Sequence, residues 1–547
     1  MTQGIRAVSV AGVVAAMAAA SGALSPAMAQ DVSDQERVLD SGVLRFFQGS
    51  PPSELARETF LITRGSFESE TTVPILDLRI VYTTRYDAEG NLRYFTGEAT
   101  RLSDDSVVTL YTVEPVEGVL RMRQARGGAD TTWTADARPD AVLSSQTLAA
   151  FVELIRRSGR QDTVFRVWSP ELDQLVDVSL DFEADTVRIQ SLTLPLTAHL
   201  DPAGRVKAIA VPTQGLRGER AQIETLPPLP GVAECAEPDY SAPDGAPYTA
   251  EEVRIPVGAG DSGFELAGTL TLPTVGAPPY PAVITISGSG LQNRDEEICP
   301  LVVGYRPFRQ IAERLAREGI AVLRVDDRMV GGSGGDATEA TTYDFAEDVH
   351  EEIAWLRARP DIDPDRIALV GHSEGGVIAP MVVNYDPTVA ALVLMAGTAK
   401  TGLEVLKYQV TYPILTAEGL SDEKKAELAA DAIRQLETTP GQNAWLRYFR
   451  AYDPLPAARE VSQPVLILQG ALDRQVTADQ AEMLATALRE GGNEDVEVDV
   501  YPDLNHLFLV SRMDGAPAEY MTLTDVDVPD YVLDRMAAWL AARLAVE

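Results

Sequence analysis

Ile367-Ala368-Leu369-Val370-Gly371-His372-Ser373-Glu374-Gly375-Gly376-Val377-Ile378-Ala379 is the stretch on which the fold turns. Its first four residues are uniformly apolar, the composition of a strand buried on both faces. Residues 371–375 read G-x-S-x-G, and residues 375–383 continue as an apolar helix. A tight strand-to-helix turn at that point pushes the Ser373 hydroxyl into the open, while the glycines let neighbouring backbone pass close. The helix N-terminus then lies where negative charge would develop on a bound carbonyl.

A serine hydroxyl needs a base, and the chain has only four histidines, His199, His350, His372 and His506. His199 falls in a different region of the chain and His350 within a surface helix. His372 sits in the turn itself, with its side chain expected to point away from that of Ser373. His506 remains, in Leu504-Asn505-His506-Leu507-Phe508, just after the last expected strand. An acid must hold the histidine in one tautomer. Asp473 follows the apolar run 465–468 and so falls at the carboxyl end of a strand; Asp503 is the rival, only three residues from His506. The order Ser373, Asp473, His506 is the one that G-x-S-x-G hydrolases use. Two backbone N–H groups must hold an oxyanion. Glu374 supplies one, and Ser289 in Ser287-Gly288-Ser289-Gly290 is expected to supply the other, with Gly290 as the alternative.

Outward from this centre, the pattern is strand, helix, strand. Strands are expected at 252–257, 264–272, 282–286, 321–325, 367–370, 391–395, 465–468 and 496–501. Helices are expected at 308–318, 344–359, 375–383 and 531–544. Continuous apolar strands alternating with amphipathic helices mean a mostly parallel twisted sheet covered on both faces, an α/β class. A helical cap is expected at about 398–460. Its aromatics Tyr408, Tyr412, Trp445, Tyr448, Phe449 and Tyr452 are candidates for the wall of an acyl pocket; the alternative is that they pack the cap onto the core.

Residues 55–215 alternate apolar and polar in short runs, as in Ile75-Leu76-Asp77-Leu78-Arg79-Ile80-Val81-Tyr82. That reads as a β-rich N-terminal domain, 30–225, interrupted by one helix at about 144–158. Residues 226–250 carry six prolines and form a linker, leaving 251–547 as the catalytic domain.

The chain has 547 residues, 45% of them hydrophobic, with 46 Lys+Arg against 82 Asp+Glu for a net charge of −36. Such acidity argues against nucleic acid or an anionic membrane as partner, since both repel it. Residues 1–29 combine Arg6, an apolar run from residue 7 to 20 and Ala27-Met28-Ala29, the marks of a signal peptide cleaved after Ala29. The expected mature protein starts at Gln30 and is periplasmic or extracellular, with no membrane insertion. Cys235 and Cys299 are the only cysteines; an oxidising compartment permits a bridge between them, and two separate thiols are the alternative.

Gly258-Ala259-Gly260-Asp261-Ser262-Gly263 matches G-x-G-x-x-G but leads into a strand, so it reads as a hairpin turn. His350-Glu351 lacks the second histidine of a zinc pair, because residue 354 is Ala.

The chain resembles the bacterial α/β-hydrolase esterases related to the serine aminopeptidase and dienelactone hydrolase groups. The resemblance covers about 252–545. It rests on the Ser-Gly-Ser-Gly loop at 287–290, Arg294-Asp295-Glu296, Asp326-Asp327-Arg328, the elbow at 371–376, Asp453-Pro454, the residues around Asp473, and Asn505-His506-Leu507-Phe508. It implies an α/β-hydrolase fold, the triad Ser373, Asp473 and His506, and hydrolysis of a small-molecule carboxylic ester through an acyl-enzyme, without metal or cofactor. Many relatives have Arg-Gly where this chain has Arg328-Met329, and His-Gly where it has Ser287-Gly288. The rival readings are an exopeptidase or acyltransferase using the same triad, and a binding protein on a vestigial hydrolase fold.

Overall fold

The computed structural model describes residues 38–48, 53–73, 77–87, 89–102, 106–116, 119–126, 129–135, 139–143, 147–169, 174–190, 195–211, 216–221, 238–258, 263–299, 302–416, 421–438 and 444–546. The expected signal peptide, the mature start at Gln30, Cys235 and most of the Pro-rich linker lie outside the described residues. The chain divides into two compact units, one chiefly of residues 54–210 and one chiefly of 231–547.

The first unit is a fifteen-stranded sheet. Val38–Gln48 pairs antiparallel with Leu216–Ala221 at its middle, and the chain meanders outward on either side. Hairpin follows hairpin, with Phe67 opposite Thr84 and Thr163 opposite Leu180. Alternation sets the faces: in Leu78–Tyr86, Ile80, Tyr82, Thr84 and Tyr86 are buried and their neighbours less so. The helix expected at about 144–158 spans Ala149–Arg157. The buried Glu58 carboxylate accepts the Leu148 and Ala149 N–H groups at 3.0 and 2.9 Å, satisfying donors that a helix start leaves orphaned.

In the second unit strands are numbered from its own start. They are β1 (Tyr248–Val257), β2 (Phe264–Pro273), β3 (Tyr280–Ile286), β4 (Ala321–Val325), β5 (Ile362–His372), β6 (Ala391–Met395), β7 (Val465–Gly470) and β8 (Val496–Tyr501). Their order in the sheet is β1-β2-β4-β3-β5-β6-β7-β8. The β1–β2 hairpin is antiparallel, β2 joins β4 antiparallel, and the remaining pairings are parallel. Helices of this unit are α1 (Pro307–Arg317), α2 (Thr342–Arg357), α3 (Gly375–Tyr385), α4 (Gly402–Thr416), α5 (Asp422–Thr438), α6 (Ala444–Ala451), α7 (Pro454–Arg459), α8 (Asp479–Glu490) and α9 (Asp530–Arg543).

The central strands are mostly apolar because each is covered twice, whereas the edge strands β1 and β8 carry exposed or half-exposed acids. In β5, Ile367 and Leu369 join the core beneath α2, α3 and α8, while Ala368 and Val370 join the core beneath α1 and α9. The same split divides Leu392 from Val393 and Ile467 from Leu468. Strand β5 begins at Ile362, five residues before the expected start. Ile362 pairs with Tyr280 and Ile367 with Ala282, so the polar residues 363–366 bulge out of the pairing with β3 and interrupt the apolar pattern as well.

The cap expected at 398–460 comprises α4, α5 and α6. Its expected C-terminal end belongs elsewhere: Ala458 of α7 is buried in the same core cluster as α3 and α8, so α7 is part of the body. Met329, where many relatives carry glycine, has φ +65°, the left-handed region that favours glycine. Among the described residues no helix is long and apolar enough to cross a membrane.

Candidate active site

Parallel strands bring their carboxyl ends to one edge of the sheet, and four of them deliver the site. Ser287 follows β3, Ser373 follows β5, Asp473 lies three residues beyond β7, and His506 lies five residues beyond β8. Ser373 has φ +53°, the strained turn that the sequence demands. Gly371 and Gly375 are what permit it. A Cβ on Gly371 would lie 2.1 Å from the Gly375 carbonyl oxygen, and one on Gly375 would lie 2.1 Å from that of Ile286.

The Ser373 hydroxyl is 3.1 Å from His506 Nε2, and His506 Nδ1 is 2.8 Å from Asp473 Oδ2. Asp473 is fully buried and heavily hydrogen-bonded. Its Oδ1 accepts the Gln475 and Val476 N–H groups at 2.8 Å, and Oδ2 accepts Gln469 Nε2 at 3.0 Å. Asp503, the rival acid, instead accepts the Tyr531 hydroxyl at 3.3 Å. The loop carrying His506 is shaped by the buried Asn505, whose Oδ1 accepts the Leu507 and Leu509 N–H groups at 3.0 and 3.1 Å.

Around the oxyanion loop the backbone donors are already divided. The Gly288 N–H donates to Glu296 Oε1 at 2.8 Å, so it is spent. The Ser287 hydroxyl donates to Asp327, which also accepts the Gln292 N–H at 2.8 Å. This is how the loop is held where many relatives carry His-Gly. Burial pushes the Asp327 carboxyl up to about 7, and the charges of Glu296 and Asp348 push in the same direction. The Ser289 hydroxyl donates to Glu374 Oε2 at 2.7 Å, with the Ser289 side chain thereby turned toward the residue that follows the nucleophile.

The Arg294-Asp295-Glu296 element ties three places together. Arg294 forms a bidentate pair with the buried Asp326, Nε to Oδ1 at 3.1 Å and Nη2 to Oδ2 at 2.8 Å. Asp295 pairs with the buried Arg324. Glu296 Oε1 lies 2.8 Å from His372 Nδ1, and His372 Nε2 lies 2.9 Å from the His506 carbonyl oxygen. Burial alone would lower the affinity of His372 for a proton, but the charge and hydrogen bond of Glu296 outweigh it and hold the imidazole above its ordinary range. Sequence reasoning set His372 aside because it points away from Ser373; the pairing with Glu296 was missed, since the two are 76 residues apart.

A cavity of about 320 Å³ opens on Ser373 and His506. Ile298, Val405, Leu406, Phe449 and Leu507 supply much of its apolar wall. Of the six expected wall aromatics, Trp445 and Phe449 line it and Tyr408, Tyr412, Tyr448 and Tyr452 do not. Helical spacing explains the correction. Trp445 and Phe449, four apart on α6, stack at 5.2 Å and share the cavity face. Tyr448 and Tyr452 share the adjacent face, stack at 5.6 Å and pack on the body core. Tyr412 donates its hydroxyl to Asp514 at 2.9 Å and stands against Tyr408.

Two carboxylates line the cavity, Glu296 and Glu374. Glu296 is paired with His372 and its second oxygen is sealed from solvent. Glu374 receives the Thr342 and Ser289 hydroxyls, both at 2.7 Å, and the Trp445 indole N–H at 2.9 and 3.0 Å. The donors on Glu374 are all neutral, so its oxygens are occupied but its charge is not paired, and Glu296 Oε2 is buried without a hydrogen-bond partner among the described residues. Among the described residues no group of His, Cys, Asp or Glu is arranged to hold a metal ion.

Residues 307–523 match the prolyl oligopeptidase family. Esterase EstD of Thermotoga maritima is 30% identical over 337 residues, covering 59% of this chain and 77% of that protein. Dipeptidyl aminopeptidase BIII of Pseudoxanthomonas mexicana is 27% identical over 235 residues, 42% of this chain but only 30% of that peptidase. A solved esterase from Pyrococcus furiosus is 18% identical, covering 55% of this chain and 94% of its own, at a TM-score of 0.37. The chain belongs to the family of Esterase EstD, serine esterases of the α/β-hydrolase superfamily.

Proposed function

We propose that this serine hydrolase cleaves neutral carboxylic esters through an acyl-enzyme, with Ser373 as nucleophile, His506 as base and Asp473 as the acid that orients it. Ser373 attacks the ester carbonyl while His506 takes its proton. The N–H groups of Ser289 and Glu374 receive the oxyanion, and His506 then protonates the departing alcohol. Water repeats the sequence on the acyl-enzyme. The observation that carries the reading is the unbroken line from the Ser373 hydroxyl through His506 to Asp473 at the mouth of an apolar cavity.

An exopeptidase is the second reading, favoured by the prolyl oligopeptidase match. Binding a substrate's terminal ammonium calls for an unpaired carboxylate, because burying an unpaired charge is costly. Glu296 is paired with His372 and its other oxygen is sealed from solvent, and both oxygens of Glu374 are occupied by donors of the protein, which supports a neutral ester. Turnover of short and medium p-nitrophenyl acyl esters beside aminoacyl p-nitroanilides, with Ser373→Ala as control, separates the two. Dominant ester turnover that vanishes in the variant supports the proposal, and dominant anilide turnover refutes it.

We also propose export, with cleavage after Ala29 and residence in the periplasm or outside the cell. The residue pattern of 1–29 supports it, and N-terminal sequencing of secreted protein beginning at Met1 would refute it. The Cys235–Cys299 bridge goes with that compartment; thiol titration under denaturing conditions, with and without reductant, tests it.

A further inference from the structure

Glu374 is buried directly after the nucleophile, yet its side chain reaches three separate segments. Its Oε2 accepts the hydroxyl of Ser289 in the oxyanion loop at 2.7 Å. Its Oε1 accepts the hydroxyl of Thr342 at the start of α2 at 2.7 Å. The indole N–H of Trp445, on cap helix α6, lies 2.9 and 3.0 Å from the two oxygens. Hydrogen bonds to a carboxylate are stronger than neutral ones, and a buried carboxylate that loses a donor is costly. The oxyanion loop and the cap are therefore held by the same group.

The consequence concerns Ser289. Its attachments on the loop include the hydroxyl bond to Glu374 and the Gln292 amide donating to its carbonyl at 3.3 Å. Trp445, on the other side of Glu374, also forms cavity wall and stacks on Phe449 at an interplanar angle of 12°. The indole that lines the cavity is thus the one that donates to the carboxylate holding the Ser289 hydroxyl.

We propose that Glu374 is a positioning residue through which the seat of cap helix α6 sets the geometry of the oxyanion loop. This rests on the ester-hydrolase reading and deepens it. The seat of α6 then acts on the transition state, in kcat, rather than on binding.

The test uses the full chain and compares wild type with Trp445→Phe, Ser289→Ala, Glu374→Gln and their pairs. Trp445→Phe keeps an aromatic wall and loses the N–H; Ser289→Ala keeps the backbone N–H and loses the hydroxyl. Each is read with acetyl and hexanoyl p-nitrophenyl esters, and by the rate at which a fluorophosphonate labels Ser373. The expected result is a fall in kcat of about tenfold in each single variant, part of the 10²–10³ lost with a whole oxyanion donor. The fall is similar for both esters, KM moves little, and Trp445→Phe adds little to Glu374→Gln or Ser289→Ala. A Trp445→Phe variant with unchanged acetyl kcat and a raised hexanoyl KM would make the indole only a wall and overturn the proposal. Fully additive effects would overturn it too. Should Glu374→Gln not fold, the Trp445–Ser289 pair decides. Should wild type label at Ser373 without cleaving esters, the ester reading fails, while the labelling rates still decide the linkage.

Discussion

The imidazole of His372 donates through Nε2 to the backbone carbonyl of His506 at 2.9 Å, so the residue before the nucleophile props the loop that carries the base. The prop continues: Nδ1 meets Glu296, and Glu296 also receives the Gly288 N–H. One buried His–Glu pair therefore connects the base loop to the oxyanion loop beneath Ser373. The rings of His372 and His506 are 4.9 Å apart.

Because Glu296 holds the His372 proton, the affinity of this group is higher in the folded state than in the unfolded chain. Its contribution to stability is complete below about pH 6.5 and is lost as pH rises through the higher folded value. The groups that face it are Glu296, His506 and, through charge, Asp473. His372→Gln is expected to remove that alkaline decline in melting temperature while lowering kcat/KM. An unaltered pH–stability curve in the variant would contradict the pairing.

Asp473→Asn is expected to cut kcat by about 10⁴. The Asn oxygen can still accept the Gln475 and Val476 N–H groups, but its amide then faces His506 Nδ1, imposing the wrong tautomer, and loses the hydrogen bond from Gln469 Nε2, which lowers stability as well. Asp503→Asn is the comparison, expected within twofold of wild type. Reversed sizes in steady-state ester kinetics would move the acid to Asp503.

Asp327 acts in the same sense as His372, but over a lower pH window. Its carboxyl is held up to about 7 in the fold, chiefly by burial, against about 4 in the unfolded chain. Between those values the folded state binds the extra proton, so this site loses stability as pH rises, on the order of a few kcal/mol across the window. Asp327→Asn keeps an acceptor for Ser287 and Gln292 and is expected to flatten the decline from pH 4 to 7 in urea unfolding. A variant that declines as steeply as wild type would place the proton elsewhere.

Met329 is exposed and has φ +65°, a conformation costing a non-glycine residue about 1–2 kcal/mol. Its thioether contact with the Ala337 N–H at 3.2 Å is weak compensation. Met329→Gly is expected to raise unfolding stability by about 1 kcal/mol without changing kcat. Destabilisation on chemical denaturation would show that the side chain contributes more than its backbone costs.

Much of the second unit was legible along the chain. The elbow at 371–375, the apolar runs of β3, β6 and β7, and the order Ser373, Asp473, His506 all express local rules of period, turn and strand end. The reach of β5 back to Ile362 was not legible, because the polar residues 363–366 break the apolar period and bulge out of register before Ile362 pairs with Tyr280. The placement of α7 was missed for a related reason: a short helix gives too few residues to say which layer its face covers. Assigning Tyr408, Tyr412, Tyr448 and Tyr452 to the acyl wall failed because aromatic content does not specify which side of a helix meets the cavity.

By itself the sequence determined the α/β class, the nucleophile turn and the candidate base and acid, since each depends on residues close in the chain or on elimination among four histidines. Only the tertiary structure decided what holds them in place. Glu296 meets His372 across 76 residues, and Glu374 meets Ser289 across 85 and Trp445 across 71. Such partners are chosen by the crossing of strands and helices and by the need to satisfy buried charge, and neither leaves a periodic mark in the chain.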